Sequence, residues 1–74
     1  MDSLRTKFGN VLREHRVKAG LTQEDLATDS ELDRTYISLL ELGKRQPSLE
    51  TLFALAAALG TTASALVRDT EKLK

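Results

Sequence analysis

Hydrophobic residues recur at intervals of three and four along most of the chain, and no stretch alternates with the two-residue period of a β-strand. This pattern predicts an all-α protein. Helix-capping residues and glycines divide the pattern into five helices. These are a helix from a Ser3 cap to about Lys18, one from Gln23 to about Thr28, one from Arg34 to Gly43, one from a Ser48 cap to Gly60, and one after Thr61 or Thr62.

The second and third predicted helices have clear start signals and a short connection. Thr22 is followed three residues later by Asp25, which is the spacing of a capping box. Asp33 is suited to cap the third helix. Two helices joined by so few residues form a helix-turn-helix pattern, whose second helix can enter the major groove of DNA.

The third helix divides into two faces when residues are placed about 100° apart. Tyr36, Ile37 and Leu40 fall on one side and are predicted to face the core. An ordinary solvated face would carry several Lys and Glu residues. The opposite face carries none of these; its residues are Arg34, Thr35, Ser38, Leu39 and Leu42.

This opposite face has side chains that can read DNA bases. Arginine can bond the N7 and O6 atoms of guanine, hydroxyl groups can bond base edges or phosphates, and leucine can pack on a thymine methyl group. We therefore predict base contacts from Arg34, Thr35, Ser38 and Leu39. The alternative for Leu39 and Leu42 is a small satellite core or an interface.

Other positions are suited to phosphate binding. Gln23 occupies the first position of the second helix, whose positive end favours an anion. Lys44 and Arg45 form a basic loop immediately after the third helix. The alternative is that all three are simply solvated, but their position beside a helix-turn-helix pattern favours phosphate contact.

The fourth and fifth helices have more apolar surface than one core needs. The core stripe of the fourth helix is predicted to be Leu49, Leu52, Leu55, Ala56 and Leu59. The surplus apolar surface predicts a homodimer interface. One of the predicted interface residues, Leu66, is expected to contribute more to the core than to the interface. The alternative is scattered surface apolarity, which is normal. The predicted interface residues are Phe53, Ala63, Leu66 and Val67.

The length and composition restrict the class of protein. A chain of 74 residues is predicted to form one small domain spanning 1–74. The absence of cysteine removes disulfides and thiolate metal sites, and the single histidine, His15, has no evident catalytic partner. We therefore expect no enzyme, metal or cofactor, and a structural role for His15. With no run long enough for a signal peptide or membrane span, we expect a cytoplasmic protein without membrane contact.

The net charge of zero hides an uneven distribution. Five basic and two acidic residues give +3 over residues 1–20, one and six give −5 over 21–42, and five and three give +2 over 43–74. If DNA is bound, the basic ends must supply most of the phosphate contacts.

The motifs GLTQEDLA, LDRTYIS, PSLETL and LAAALG, in this order and at these separations, resemble the Cro/repressor (XRE-type) helix-turn-helix family. The resemblance covers nearly the whole chain and is strongest to small restriction-modification controller proteins. It implies a five-helix, lambda-repressor-like DNA-binding domain with the helix-turn-helix formed by helices 2 and 3. It also implies a transcriptional regulator that binds a two-fold symmetric operator as a homodimer, with RNA polymerase as a further candidate partner.

The resemblance implies roles for individual residues as well. Thr22, Gln23 and Tyr36 match phosphate-contacting or backbone-contacting positions, and Arg16 and Glu41 match positions that form an ion pair across the domain. Many family members have Gly or Asn where this chain has Glu31. Either the turn differs here, or Glu31 adopts a left-handed conformation.

A protein-interaction module, such as an antitoxin that binds its partner through helices 4 and 5, is the alternative function. The neighbouring genes would separate the two, because a controller would lie beside a methyltransferase and a nuclease.

Overall fold

Five α-helices joined by short connections make up the protein in the computed structural model, which describes residues 3–73. No strand occurs among these residues, and the all-α prediction is confirmed. The helices are α1 (Leu4–Lys18), α2 (Gln23–Ser30), α3 (Arg34–Glu41), α4 (Leu49–Ala58) and α5 (Ala63–Lys72).

Each helix begins at a side-chain cap. The hydroxyl or carboxylate oxygen of the cap accepts a hydrogen bond from a backbone N–H in the first turn, which the helix itself leaves unpaired. This confirms the predicted caps and selects Thr62 over Thr61 for α5. The five caps are Ser3, Thr22, Asp33, Ser48 and Thr62.

The second helix is two residues longer than the sequence predicted. Asp29 and Ser30 are typical of turns, but the Ser30 hydroxyl donates a 2.6 Å hydrogen bond to the Leu26 carbonyl inside the helix. This bond satisfies the hydroxyl and allows Ser30 to be buried. The helix therefore continues to Ser30 and ends where Glu31 becomes left-handed.

The helices pack in a closed cycle around one core. α1 packs on α3 and α5, α2 packs on α3 and α4, and α4 packs on α5. All five helices contribute buried apolar side chains, so burial couples them. The core residues are Phe8, Val11, Leu12, Leu26, Ala27, Ile37, Leu40, Leu55, Ala56 and Leu66.

Two apolar positions, Leu49 and Leu66, differ from the sequence predictions. Leu49, predicted in the core stripe of α4, is 72% exposed because it is the first residue of the helix and lies beyond the core. Leu4 is exposed at the start of α1 for the same reason. Leu66, predicted in the dimer interface, is fully buried within the single chain, so it has no surface to offer a partner. That assignment was wrong.

The backbones of α1 and α3 approach closely at Gly9. A Cβ atom placed on Gly9 would lie 2.5 Å from the carbonyl oxygen of Leu40 and 2.6 Å from that of Glu41. No larger residue fits this contact without moving one helix. Gly9 therefore fixes the distance between α1 and the last turn of α3.

No single helix among residues 3–73 is long and apolar enough to cross a membrane. α4 and α5 meet the length and composition criteria only as a pair, and that pair is bent by 101°.

Candidate nucleic-acid interface

The connection between α2 and α3 is a tight turn centred on Glu31. Its φ of 58° and ψ of 37° are left-handed, which costs a non-glycine residue about 1 kcal/mol. The N–H of the following residue, Leu32, donates a 2.9 Å hydrogen bond to the Ala27 carbonyl, and the Leu32 side chain packs against the core. Of the two alternatives for this position, the structure has the left-handed Glu31.

The turn directs the start of α3 toward solvent. Asp33 accepts a 3.0 Å hydrogen bond from the N–H of Thr35 and so fixes the first turn. Arg34 and Thr35 are exposed there, whereas Ile37 and Leu40 are fully buried. Among residues 3–73, the side chains of Arg34 and Thr35 make no hydrogen bond or ion pair, so their polar groups are available to a ligand.

The remaining residues of the predicted outward face differ in how far they are exposed. Ser38 and Leu39 are half-buried, and Leu42 at the end of α3 is exposed. The most accessible part of the face is therefore its first turn. Ser38 and Leu39 lie deeper, where they can contact only a ligand that fits closely against α3.

The basic loop after α3 contacts an aromatic ring of that helix. The guanidinium carbon of Arg45 lies 5.5 Å from the centre of the Tyr36 ring, within the range of a cation–π interaction. Tyr36 is half-buried and packs against the core on its other side, whereas Lys44 is exposed. Tyr36 thus orients Arg45 and leaves Lys44 open to solvent.

A buried ion pair connects the ends of α1 and α3. Arg16 Nε donates to Glu41 Oε2 at 2.6 Å and Arg16 Nη2 donates to Oε1 at 3.1 Å, in the paired arrangement that suits a guanidinium and a carboxylate. The two side chains are 13% and 4% exposed. The hydrogen-bonded Glu41 carboxylate raises the pKa of Arg16, which therefore stays charged.

The same ion pair positions the start of α2. Gln23 Nε2 donates a 3.1 Å hydrogen bond to Glu41 Oε1, and Arg16 Nη1 donates to the Leu21 carbonyl at 2.9 Å. Because an amide nitrogen carries two hydrogens, Gln23 keeps one N–H for a phosphate. Gln23 is therefore a positioned donor rather than a mobile side chain.

The capping role of Thr22 occupies most of its hydrogen-bonding groups. Its hydroxyl accepts from the Asp25 N–H, and its own N–H donates to the Asp25 carboxylate, both at 3.0 Å, so the predicted capping box is present. The hydrogen bond from the Thr22 backbone, aided by the Thr22 side chain, lowers the pKa of Asp25. Both the backbone N–H and the hydroxyl of Thr22 are therefore engaged with Asp25.

His15 has a structural contact on another side of α1. Its Nε2 atom lies 2.8 Å from Asp69 Oδ2, which connects α1 to α5, and this hydrogen bond lowers the pKa of Asp69. No group of three or more potential metal ligands occurs within residues 3–73.

The predicted dimer residues have different exposures. Phe53 is 61% and Val67 44% exposed, and Ala63 is half-buried. Leu4 and Val67 line one apolar depression of about 210 Å³. Leu4 and Leu49 are further exposed apolar residues, and both lie in the first turn of their helices.

The chain is similar to known proteins in both sequence and structure. The helix-turn-helix family matches residues 12–66. Control protein C.MunI from a Mycoplasma species is 45% identical over 73 residues, covering 97% of this chain and 99% of that protein. The restriction-modification controller protein C.AhdI from Aeromonas hydrophila is 45% identical, with a TM-score of 0.82 over 84% of this chain and 94% of that one. The clp gene regulator ClgR from Corynebacterium glutamicum is 31% identical, with a TM-score of 0.90 over 95% of this chain and 74% of that one.

Proposed function

This chain belongs to the helix-turn-helix family of DNA-binding transcription regulators, and we propose that it is a restriction-modification controller protein. In this proposal it binds a two-fold symmetric operator as a homodimer. It acts by occupying the operator, in the compartment that holds the genome, which in a bacterium is the cytoplasm. RNA polymerase, which meets a regulator at a neighbouring promoter, is the second protein partner that we propose.

The observation that carries the proposal is the asymmetry of α3. Its inner face is fully buried at Ile37 and Leu40, and its exposed first turn presents Arg34 and Thr35 without internal partners among residues 3–73. An exposed arginine without an internal partner can bond the two acceptors of guanine in the major groove. Arg34 and Thr35 are the proposed base readers, and Ser38 and Leu39 contact the bases more deeply.

Phosphate contacts would hold α3 in register on the duplex. Gln23 is fixed by Glu41, and Arg45 is fixed over Tyr36, so these donors are oriented before DNA arrives. Lys44 adds a positive charge beside them. Contacts to phosphates position a protein without reading sequence, which complements the role of Arg34.

The proposed dimer uses the exposed apolar residues of α4 and α5. Phe53 and Val67 are its main residues and Ala63 borders them, while Leu49 and Leu4 extend the apolar surface. A two-fold dimer would place its two α3 helices about one DNA turn, 34 Å, apart, so two weak half-sites act together.

Selection of bound sequences from a pool of random duplexes tests the proposal. We expect an inverted repeat with half-site centres about one helical turn apart. The double variant Arg34→Ala/Thr35→Ala should bind DNA without selecting that repeat. A wild-type protein that selects no sequence, or a single unrepeated motif, would contradict the proposal, and the former result would favour the protein-interaction alternative.

A further inference from the structure

A polar groove lies between α1 and the last turn of α3. One wall is formed by Thr6, Asn10 and Arg13 of α1, and the other by Ser38 and Leu42 of α3. Its floor is the Arg16–Glu41 ion pair with Gln23, and its volume is about 470 Å³. Because Gln23 and Ser38 also belong to the proposed DNA-binding surface, the groove opens on the same side of the protein as that surface.

The groove carries net positive charge. Glu41 is the one carboxylate among its lining residues, and it is neutralised by Arg16 and hydrogen-bonded to Gln23. Arg13 is exposed and forms no ion pair with any residue of 3–73. One uncompensated guanidinium group therefore remains, at a place where no carboxylate oxygen is free to repel an anion.

The three α1 side chains form a row of groups that can donate hydrogen bonds, of which the Thr6 hydroxyl also shares a 3.1 Å hydrogen bond with the Ser3 hydroxyl. Residues 6, 10 and 13 share one face of the helix, and the seven steps from residue 6 to residue 13 span about 10 Å. At one end, a Cβ atom on Gly43 would lie 2.9 Å from the Thr6 hydroxyl, so this end borders the basic loop with Lys44 and Arg45. The row thus extends from the basic loop to Arg13.

We propose that this groove binds the sugar-phosphate backbone of duplex DNA beside the bases that α3 reads. Arg13 donates to a phosphate oxygen, Asn10 donates its amide N–H to the same strand, and the Thr6 hydroxyl donates at the end near Lys44. This inference rests on the proposed function. It adds α1 to the DNA interface and gives a phosphate contact to Arg13, one of the five basic residues of 1–20.

The salt dependence of binding tests the groove. Loss of one phosphate contact should reduce the slope of log affinity against log salt concentration by about 0.9. We expect Arg13→Ala to show this change and to weaken binding several-fold, by equal factors on the selected operator and on random DNA. Asn10→Asp, which adds a negative charge at nearly constant size, should weaken both as well.

Arg68→Ala is the matched control, because Arg68 is an exposed arginine on α5 and does not line the groove. Its slope should equal that of the wild type. An Arg13→Ala slope equal to the wild-type slope, or a loss confined to the operator, would overturn the groove proposal. A wild type that binds operator and random DNA equally would instead overturn the proposed function, and the Arg13→Ala slope on random DNA would still decide the groove.

Discussion

Glu41 is the residue at which α1, α2 and α3 are connected. Its carboxylate accepts hydrogen bonds from Arg16 on α1 and Gln23 on α2, while its own backbone ends α3. A charge buried to this extent is tolerated only with a hydrogen-bonded partner. The pair therefore fixes where the start of α2, the proposed phosphate-binding site, lies relative to α3.

Replacing Glu41 by Ala should cost about 3–5 kcal/mol of unfolding free energy, because the Arg16 guanidinium would remain buried without a counter-charge. Urea unfolding followed by circular dichroism measures this. Glu14→Ala is the control, since Glu14 is exposed on α1 and should change stability by no more than about 0.5 kcal/mol. Equal midpoints for the two variants would show that the pair does not stabilise the fold.

Individual residues were predictable where helical periodicity alone decides exposure. It predicted correctly that Arg34 is exposed and Ile37 is buried, because opposite faces of one helix cannot both face the core. It did not predict that Leu66 is fully buried within the chain. Periodicity identifies an apolar face but does not show whether the same chain or a second copy covers that face. The Arg16–Glu41 pair came from family resemblance, since residues so far apart in sequence show no spacing signal.

Gly9 controls how two elements pack. A glycine in the middle of a helix normally lowers stability by about 1 kcal/mol relative to alanine. Here the absence of a side chain allows α1 to touch the last turn of α3. The sequence signal was a glycine inside an amphipathic helix, where its cost usually has a packing or functional reason.

Gly9→Ala should therefore destabilise the protein by about 1–3 kcal/mol, the usual cost of overpacking, instead of stabilising it. Thermal unfolding at fixed protein concentration measures the change. Asn10→Ala, at the exposed neighbouring position, should leave stability equal or slightly higher because alanine is the better helix former. A Gly9→Ala protein more stable than the wild type would disprove the close packing of α1 on α3.

The capping box of α2 predicts a pH dependence. Since the hydrogen bond from the Thr22 backbone lowers the pKa of Asp25 in the folded protein, the ionised carboxylate stabilises folding. This stabilisation is present above the unfolded pKa of about 3.9 and is lost as the pH falls through the lowered folded pKa.

Urea midpoints of the wild type and Asp25→Ala should differ at pH 7, and the difference should shrink as the pH falls below about 3.9. Asp29→Ala removes another exposed acid from the same helix, one without a side-chain hydrogen bond among residues 3–73, and serves as the control. A constant Asp25→Ala difference from pH 7 to pH 2 would mean that the ionised carboxylate makes no contribution.

The helix starts were more predictable than the helix ends. All five caps are local, because a side chain bonds an N–H two or three residues away. The end of α2 depends on the Ser30 hydroxyl bonding inside the helix and on a left-handed Glu31, and residue preferences disfavour both. The sequence was therefore a poor guide to this one boundary.

The whole molecule presents two kinds of surface. The proposed DNA-binding surface follows α3, the start of α2 and the basic loop. The exposed apolar residues of the proposed interface are Leu4 and Val67, which line one depression, and Leu49 and Phe53 on α4. A domain of this size gains stability from covering such a surface, and a two-fold dimer covers it while pairing the two recognition helices.

We expect a wild-type dimer at micromolar concentration and a Val67→Asp monomer with weakened operator binding, because a carboxylate in an apolar interface would lose its hydration. Sedimentation equilibrium measures the masses. Val17→Asp is the matched control: Val17 is 59% exposed, more than the 44% of Val67, but it lies on α1 outside the proposed interface. A wild-type monomer, or a Val67→Asp dimer, would refute the interface.

Discrimination between the operator and other DNA is a property of the whole complex, and the base-reading role of Arg34 is the central claim about it. The most direct measurement is the affinity of the wild type and Arg34→Ala for the selected operator and for a scrambled duplex, by fluorescence anisotropy at one salt concentration. We predict that the operator affinity falls by about 1–3 kcal/mol, a factor of roughly 5 to 150, and that the scrambled-duplex affinity falls much less. Equal losses on the two duplexes would contradict the account, because Arg34 would then contact phosphate instead of reading a base.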